Sequence, residues 1–476
     1  MNFQFTNFQL KIESLGHRLK IAKLKIENLQ RGYAALAMTL VVLAASLTVV
    51  GGLTFFSLQE VRVNRAFLKS VDSRVIAESG VEDALWRVVS GKQIGASETL
   101  GVGKGATTIT VVTAGNTRTI RSAANLENHR QNIESAVEMT TIGTSFVYGA
   151  LVGEGGIEMQ NNSTVNGSIY SNGDIIGATG ATVTGDALAA GSAQIKNVAV
   201  GGNAQANLID DSTVGGYASS TTKLDDVTVG KDAHANELDD TTVTKDAYYN
   251  IIDSSSLVLG SRVTPTTPPS NLSAVAFPIA DATVDQWKSD AAAGGICALP
   301  QCDTSGNFKL SNGELGTLGP KKITGKLELD NGAALTISGT LWVVGDIILS
   351  NNCSIRLSPG YGSSSGVIIT EGKLTISNNC TFQGSGSPGS YILVLSAKNA
   401  PGEEIMTVDN NSAGVIYYAA GGWIKFSNNA IAKQATARGI RLDNNASLVY
   451  ELGLADVKFS AGPSGGYAVK YWKEVE

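Results

Sequence analysis

The pattern of apolar and polar residues changes three times along the chain, and each change predicts a different kind of structure. Residues 33–58 are almost uniformly apolar, and no charged residue occurs from Gly32 to Gln59. At about 1.5 Å per residue, an α-helix of this length crosses a lipid bilayer. From Val61 to Val88 apolar residues recur at helical spacing between charged ones. The same helix is therefore expected to continue as an amphipathic helix, so that it spans residues 33–90.

After the helix, residues 91–147 predict a small β region. Residues 105–113 alternate in polarity, and an Ala-Gly-Asn turn at 114–116 separates them from a second alternating segment at 117–121. These features are typical of a β-hairpin. Another alternating segment, from Gln131 to Met139, predicts a third strand.

Residues 148–262 contain a short repeat that predicts a β-solenoid. The segments that begin at Ile195, Ile209, Leu224 and Leu238 share an apolar residue, a polar pair and a valine, and these valines are 14, 15 and 14 residues apart. A unit this short cannot bury a core alone, whereas stacked units bury a continuous one.

Residues 263–322 form a Pro-rich linker with a predicted short helix at 283–293, and a second repeat series follows at 323–476. Asn tolerates the left-handed backbone of tight turns, and stacked Asn side chains form amide ladders. The Asn-Asn copies of this series are 351–352, 378–379, 410–411, 428–429 and 444–445. The predicted fold is mainly β: a long N-terminal α-helix, a small β domain and a right-handed parallel β-helix, or solenoid, in two sections. A β-sandwich with frequent Asn turns is the alternative.

The residues before the apolar run form a basic leader, residues 1–32. Basic residues next to a membrane span favour the cytoplasmic side, so we expect a cytoplasmic N-terminus and an extracellular chain after Glu60. A secretory signal peptide would have a shorter apolar stretch and a small-residue cleavage site. The leader has six basic and two acidic side chains: Lys11, Arg18, Lys20, Lys23, Lys25, Arg31, Glu13 and Glu27.

Composition excludes several classes of function. Charged residues make up 16% of the chain and the net charge is −6, so nothing predicts the concentrated basic face that nucleic acids require. The histidines His17, His129 and His234 lie in different regions. They offer no Ser-His-Asp set and no histidine metal cluster, so we expect neither an enzyme nor a cofactor.

Six aspartates recur in pairs at one place in the first repeat. Such a row of carboxylates could hold Ca²⁺, but Asp also suits the solvated corners of a solenoid without any metal. A catalytic groove would interrupt the repeat, and the repeat is regular here, so we expect structural corners and no metal site. The residues are Asp210, Asp211, Asp225, Asp226, Asp239 and Asp240.

Two cysteine pairs are candidates for disulfides. Cys353 and Cys380 both follow Ser-Asn-Asn, which predicts equivalent places on neighbouring rungs. Rungs of parallel strands are about 4.8 Å apart, a separation that a disulfide accepts. Cys297 and Cys302 enclose four residues and could also close. A four-cysteine zinc site is disfavoured because the second pair lacks the usual spacing.

Two motifs in the helical region resemble those of type IV pilin-like proteins, over about residues 30–140. Gln30-Arg31-Gly32-Tyr33 before the apolar run looks like a prepilin-peptidase junction, and residues 77–84 (AESGVEDA) are similar to a stretch of PilX-type minor pilins. The resemblance implies cleavage between Gly32 and Tyr33, methylation of the new N-terminus, and insertion of residues 33–58 in the membrane. It also implies other pilin-like subunits and the pilus assembly machinery as partners.

One position departs from the pattern of major pilins. They carry Glu at the fifth residue of the mature helix, where it pairs with the amino group of the neighbouring subunit, and this chain has Ala37. Because an unpaired buried charge is costly, we expect a tip or initiating position in the filament. The resulting hypothesis is a structural or adhesive cell-surface subunit whose solenoid presents a surface to a glycan or protein ligand. The alternatives are a pilus-independent bitopic protein with a solenoid stalk, and a polysaccharide-active β-helix enzyme.

Overall fold

The computed structural model describes residues 33–89, 94, 97–114, 117–139, 141–143, 146–413, 415–461 and 467–475. The leader and Gly32 lie outside the described residues. Two compact units are distinguished, Met1–Val75 with Asn125–Arg130, and Ile76–Ala124 with Gln131–Glu476. The described helices are α1 (Tyr33–Val89) and α2 (Asp281–Ala293), with short 3₁₀ turns at Pro359–Tyr361 and Leu452–Asp456.

The strands of the small β region and of the first repeat series alternate with tight turns. Their bounds are β1 (Ser97–Val102), β2 (Gly105–Ala114), β3 (Thr117–Leu126), β4 (His129–Met139), β5 (Thr141–Gly143), β6 (Ala150–Met159), β7 (Thr164–Asn166), β8 (Ile169–Ser171), β9 (Ile175–Gly177), β10 (Thr182–Val183), β11 (Ala187–Ala189), β12 (Gln194–Lys196), β13 (Ala199–Val200), β14 (Ala204–Val214), β15 (Ala218–Val229), β16 (Ala233–His234), β17 (Glu237–Asp239), β18 (Thr242–Val243), β19 (Ala247–Tyr248), β20 (Ile251–Ile252), β21 (Leu257–Val258) and β22 (Arg262–Val263).

The second series follows α2, and one further strand ends the described chain. The bounds are β23 (Phe308–Leu310), β24 (Leu315–Leu318), β25 (Lys321–Ile323), β26 (Leu327–Leu329), β27 (Ala334–Ile337), β28 (Leu341–Val343), β29 (Ile347–Leu349), β30 (Ser354–Leu357), β31 (Gly366–Thr370), β32 (Leu374–Ile376), β33 (Thr381–Gln383), β34 (Ile392–Ser396), β35 (Glu404–Val408), β36 (Ile416–Phe426), β37 (Ile431–Ala432), β38 (Gln434–Leu442), β39 (Ser447–Val449), β40 (Lys458–Ser460) and β41 (Tyr467–Val475).

The small β region is an antiparallel sheet with the strand order β1-β2-β3-β4-β41. The predicted hairpin is confirmed, because β2 and β3 pair in a register that places Ala114 opposite Thr117. The sequence assigned the chain up to residue 476 to the second solenoid series. Instead, β41 leaves the solenoid and pairs antiparallel with β4, with Tyr467 opposite Met139.

The predicted solenoid is confirmed, since each repeat pairs in parallel with the next one. In the first series the valine positions stack in register, as Val200 on Val214 and Val214 on Val229. Alternate residues of these short strands are buried, which places valine, isoleucine, leucine and alanine in one continuous core. The right-handed winding stays a prediction.

The two repeat series form one stack, in the reverse of their order in the sequence. β38, near the end of the second series, pairs in parallel with β6, the first strand of the first series, and Ala435 lies opposite Ala150. Arg441 bonds Glu158 across this joint at 2.8 Å. The chain therefore enters the solenoid in the middle of the stack, winds to one end, returns to the other end and winds back.

Residues 264–280 and α2 run back along the side of the stack, from the end of the first series to the start of the second. The sequence predicted a Pro-rich linker with a short helix, and the structure shows that this linker packs on the rungs that it passes. α2 agrees with the predicted helix and buries Trp287. The contacts occur in the reverse order of the rungs: Thr267 with His234, Leu272 with Ala190, Val275 with Asn172, Ile279 with Tyr418 and Lys288 with Glu371.

A second apolar core lies outside the solenoid wall, beneath α2. All five residues of β31 and all five of β34 are buried, because their outward side chains contact a cluster that includes Trp287 and Phe459. Strands that are buried on both faces have continuous apolar runs instead of alternation. This packing explains the uninterrupted apolar segments of the second series.

Candidate functional site

The N-terminal part of α1 is the candidate membrane anchor. α1 begins at Tyr33 in the described residues, and Ala37 lies on its exposed surface. The 18-residue window that is long and apolar enough to cross a membrane has no buried residue. Thirteen large apolar side chains between Leu36 and Leu58 are each more than half exposed. Such a surface requires a covering of lipid or of other apolar helices.

From Ile76 onward α1 packs on the small sheet, and the PilX-like motif lies where the two are in close contact. A Cβ added to Gly80 would meet Ser122 Oγ at 2.3 Å and Thr107 Cγ2 at 2.5 Å. These two side chains are buried, and their hydroxyl groups hydrogen bond each other at 2.6 Å. Ala77 and Ala84 are also buried on this side of the helix. The small residues of the motif therefore let the helix approach the sheet.

The row of aspartates follows one corner of the first series. Asp210 pairs in register with Asp225, and Asp225 with Asp239. The second aspartate of each pair has a left-handed backbone, with φ of 45° at Asp211 and 50° at Asp226. Asp and Asn adopt this conformation more readily than most residues. The row thus meets a backbone requirement of the corner.

Lysines neutralise part of this row. Lys223 Nζ lies 3.1 Å from an oxygen of Asp225 and bonds Asp239 on the next rung, while Lys196 bonds Asp210 at 2.5 Å. The hydrogen bond to Asp239 raises the pKa of Lys223 above its usual range. Within the described ranges, no group of three or more His, Cys, Asp or Glu side chains is arranged to hold a metal ion.

Both cysteine pairs form disulfides in the structure. Cys353 and Cys380 precede β30 and β33, which are neighbouring strands in register, and their Cα atoms are 4.5 Å apart. Both side chains point inward and are buried. Cys297 and Cys302, with Cα atoms 5.6 Å apart, close the loop at the start of the second series.

The Asn pairs form a ladder along one edge of the stack. Both residues of each pair have φ between 50° and 66°, so their side chains project from equivalent turns. The side-chain amide of the first Asn in each pair, and that of Asn331, donates to an oxygen on the neighbouring rung at 2.6–3.3 Å. The donors and acceptors are Asn161 to Asn444, Asn444 to Asn428, Asn428 to Asp409, Asn410 to Asn378, Asn378 to Asn351, Asn351 to Asn331, and Asn331 to Asn312.

Asn161 and Asn162 belong to this ladder although they lie in the first series. Their backbone has the same left-handed conformation as the other pairs, and Asn445 N donates to Asn161 O at 2.9 Å. This copy was not predicted from the sequence, because Asn-Asn pairs were expected only after residue 323. This Asn-Asn pair at the start of the first series was the feature of the sequence that indicated where the second series stacks on the first.

Open clefts on the solenoid are candidates for a ligand site, and two of them lie beside the aspartate row and the return segment. A groove of about 330 Å³ lies beside the aspartate corners and includes Asp211, Asp226 and Thr213 in its lining. A cleft of about 530 Å³ lies between the return segment and the rungs, where Phe277 and Tyr418 contact each other edge to face. Carboxylates, hydroxyls and aromatic rings of this kind suit a polar ligand such as a glycan.

The histidines do not assemble a catalytic set in the described residues. His129 begins β4 of the small sheet, and its ring lies 3.1 Å from Glu127 O. His234 lies on the solenoid, 3.1 Å from Thr266 Oγ1 and beside the ring of Tyr248. His17 is in the leader, outside the described residues.

Comparison with known proteins identifies no family. No family model matches the chain, and no curated protein sequence matches it. Among solved structures, the chain is similar to the competence-associated pilin ComZ from Thermus thermophilus, with 10% sequence identity and a TM-score of 0.23. The match covers 86% of this chain and 98% of that chain. At this TM-score the similarity carries no argument about function.

Proposed function

We propose that this chain is a non-catalytic subunit of a pilin-like filament, and that α1 anchors it in the membrane with the solenoid displayed outside the cell. The observation that carries this proposal is the change in α1 near residue 76. The helix is apolar and exposed from Leu36 to Leu58, and one side of it is buried from Ile76 onward, where Ala77, Val81, Ala84 and Val88 are also buried. One helix thus combines a surface for lipid or for neighbouring helices with a surface for its own domain.

The size of the exposed apolar surface supports assembly rather than an isolated soluble state. A fully buried leucine, valine, phenylalanine or methionine side chain contributes about 1.5–3 kcal/mol relative to its exposed state. Thirteen such side chains are left exposed in this part of α1. A bilayer covers them before assembly, and helices of other subunits cover them in a filament.

Ala37 favours a terminal position in that filament. The missing carboxylate would leave the amino group of a neighbouring subunit without a partner, which is costly in an apolar environment. A subunit at the tip or at the initiation point avoids this cost on one side. In that position the solenoid would be displayed at the end of the filament, where its clefts would bind a glycan or protein ligand as part of an adhesive role.

The experiment maps the N-terminus of the membrane-bound protein by mass spectrometry. We expect wild type to begin with a methylated Tyr33, and Gly32→Val to keep the leader, because the peptidase requires glycine before its cleavage site. Gly51→Ala is the matched control, since a Cβ at Gly51 meets nothing within 4 Å. A wild-type protein that retains the leader would contradict the filament proposal and favour the pilus-independent membrane protein.

A further inference from the structure

Two neighbouring rungs of the second series carry long insertions at the same corner. Two residues separate β24 from β25 and three separate β27 from β28, but eight separate β30 from β31 and eight separate β33 from β34. These corners are equivalent, because β24, β27, β30 and β33 are successive strands of one sheet. A plain corner therefore needs only two or three residues. Insertions on one face of a stacked repeat often form its binding surface.

The two inserted loops are tied together and border an open cleft. Ser390 Oγ donates to Ser364 O at 2.8 Å, and Ser385 Oγ donates to Gly362 O. The cleft has a volume of about 660 Å³, which is within the usual range for small-ligand sites. The disulfide between rungs lies just before β30 and β33, so it joins the same two rungs. The strands that carry the cleft are therefore held at a fixed separation.

Arg356 is the charged residue of this cleft, and the other described lining residues are uncharged. Its Nε donates to Thr336 Oγ1 on the preceding rung at 3.0 Å, which leaves the two terminal amino groups of the guanidinium for a ligand. Within the described residues Arg356 forms no ion pair, and its neighbours in register are Thr336 and Gln383. The cleft is thus locally positive in a chain whose net charge is −6.

The remaining lining combines hydrogen-bonding groups with apolar surface. In the part of the chain that the structure describes, the side chains of Gln383 and Ser387 have no hydrogen-bond partner. Pro359 and Pro388 are exposed and also line the cleft. A sugar ring has an apolar face and a rim of hydroxyl groups, so the prolines suit its face while Gln383 and Ser387 suit its hydroxyls.

We infer that this cleft binds an acidic sugar residue of a glycan, with Arg356 paired to its carboxylate. The parallel N–H groups of a guanidinium match the two oxygens of a carboxylate, so the pairing fixes the orientation of the ligand. A cationic ligand is disfavoured, because the described lining contains no aspartate or glutamate. The inference rests on the adhesive role proposed above and deepens it, by assigning a ligand class to a third cleft.

The test titrates the full-length chain in detergent with an oligosaccharide of galacturonic acid, by calorimetry. We expect wild type to bind it, and methyl esterification of the oligosaccharide to abolish binding, because the ester removes the charge and keeps the sugar rings. Arg356→Gln should weaken binding by about tenfold or more, since hydrogen bonds to a charged group are lost. Arg262→Gln is the matched control. Arg262 is exposed on the last rung of the first series, so this variant should bind as wild type does.

Hydrogen exchange locates the ligand and checks the fold. The oligosaccharide should protect amides of residues 384–390 in wild type and in Arg262→Gln, but not in Arg356→Gln. Equal protection of residues 204–229 in all three proteins without ligand shows that the fold is intact.

A wild type that does not bind, or binding that the methyl ester shares or that Arg356→Gln retains, would overturn the inference. An oligomer of glutamate that binds as tightly as the oligosaccharide would also overturn it, in favour of an acidic protein ligand. Neither measurement depends on cleavage after Gly32, so a failure here is distinguishable from a failure of the filament proposal.

Discussion

Gly80→Ala tests whether close approach of α1 to the small sheet holds this part of the protein together. The new methyl group would lie 2.3 Å from Ser122 Oγ and 2.5 Å from Thr107 Cγ2, and real atoms do not approach so closely. The two side chains are buried, so they have little room to move. The helix must shift away, or the hydrogen bond between the two hydroxyls must break.

The magnitude follows from three opposing contributions. Overpacking a buried contact costs about 1–3 kcal/mol, and the loss of one hydrogen bond costs about 1 kcal/mol. Alanine in place of glycine within a helix returns about 1 kcal/mol. The expected net loss is therefore about 2 kcal/mol. Since 1.4 kcal/mol corresponds to a factor of ten, the opening equilibrium of the sheet should increase about 30-fold.

Native-state hydrogen exchange of the full-length protein measures this change. Amides of β2 and β3 should exchange about 30-fold faster in Gly80→Ala, while amides of the solenoid serve as the internal reference. Adding Thr107→Ser and Ser122→Ala removes both contacting atoms and should restore part of the protection. If Gly80→Ala exchanges as slowly as wild type, helix propensity outweighs the contact and the close-approach explanation of the motif is wrong.

Two further predictions concern the solenoid. Cys353→Ser/Cys380→Ser should lower the free energy of unfolding by about 3 kcal/mol, because the disulfide closes a long loop of the unfolded chain. Thermal unfolding of both proteins with and without reductant measures this loss. A wild type whose melting temperature does not change with reductant would contradict it. Asp225→Asn/Asp239→Asn should change stability by less than about 1 kcal/mol, since exposed ion pairs such as those of Lys223 contribute little. Calcium should not alter the melting temperature of either protein. If calcium raised the melting temperature of wild type alone, the aspartate row would be a calcium site after all.

Local features of the sequence were sufficient to predict the secondary-structure elements and the corners of the solenoid. The exposed helix, the hairpin of β2 and β3, and the rungs all follow from periodicity, since a helix, a strand and a stacked repeat each impose their own spacing. The equivalence of Cys353 and Cys380 could be derived because the same tripeptide precedes both. The corners at Asp211 and Asp226 have a left-handed backbone. They could be predicted because Asp adopts this conformation more readily than most residues.

The sequence did not reveal the clefts that are proposed to bind a ligand. The cleft beside Phe277 and Tyr418 exists only because residues 264–280 fold back on the rungs, and no local pattern predicts that path.

The sequence by itself determined the apolar N-terminal helix, the existence of a solenoid, its two kinds of corner and its candidate disulfides. Only the tertiary structure decided the order in which the rungs stack, the return of the linker along the wall and the place of β41 in the small sheet. The physical reason is that rung edges are nearly equivalent. Parallel backbone pairing and an apolar interior suit many partners, so the choice of β6 as the partner of β38 depends on the whole stack. Asn161 and the ion pair of Arg441 with Glu158 add specificity at that joint.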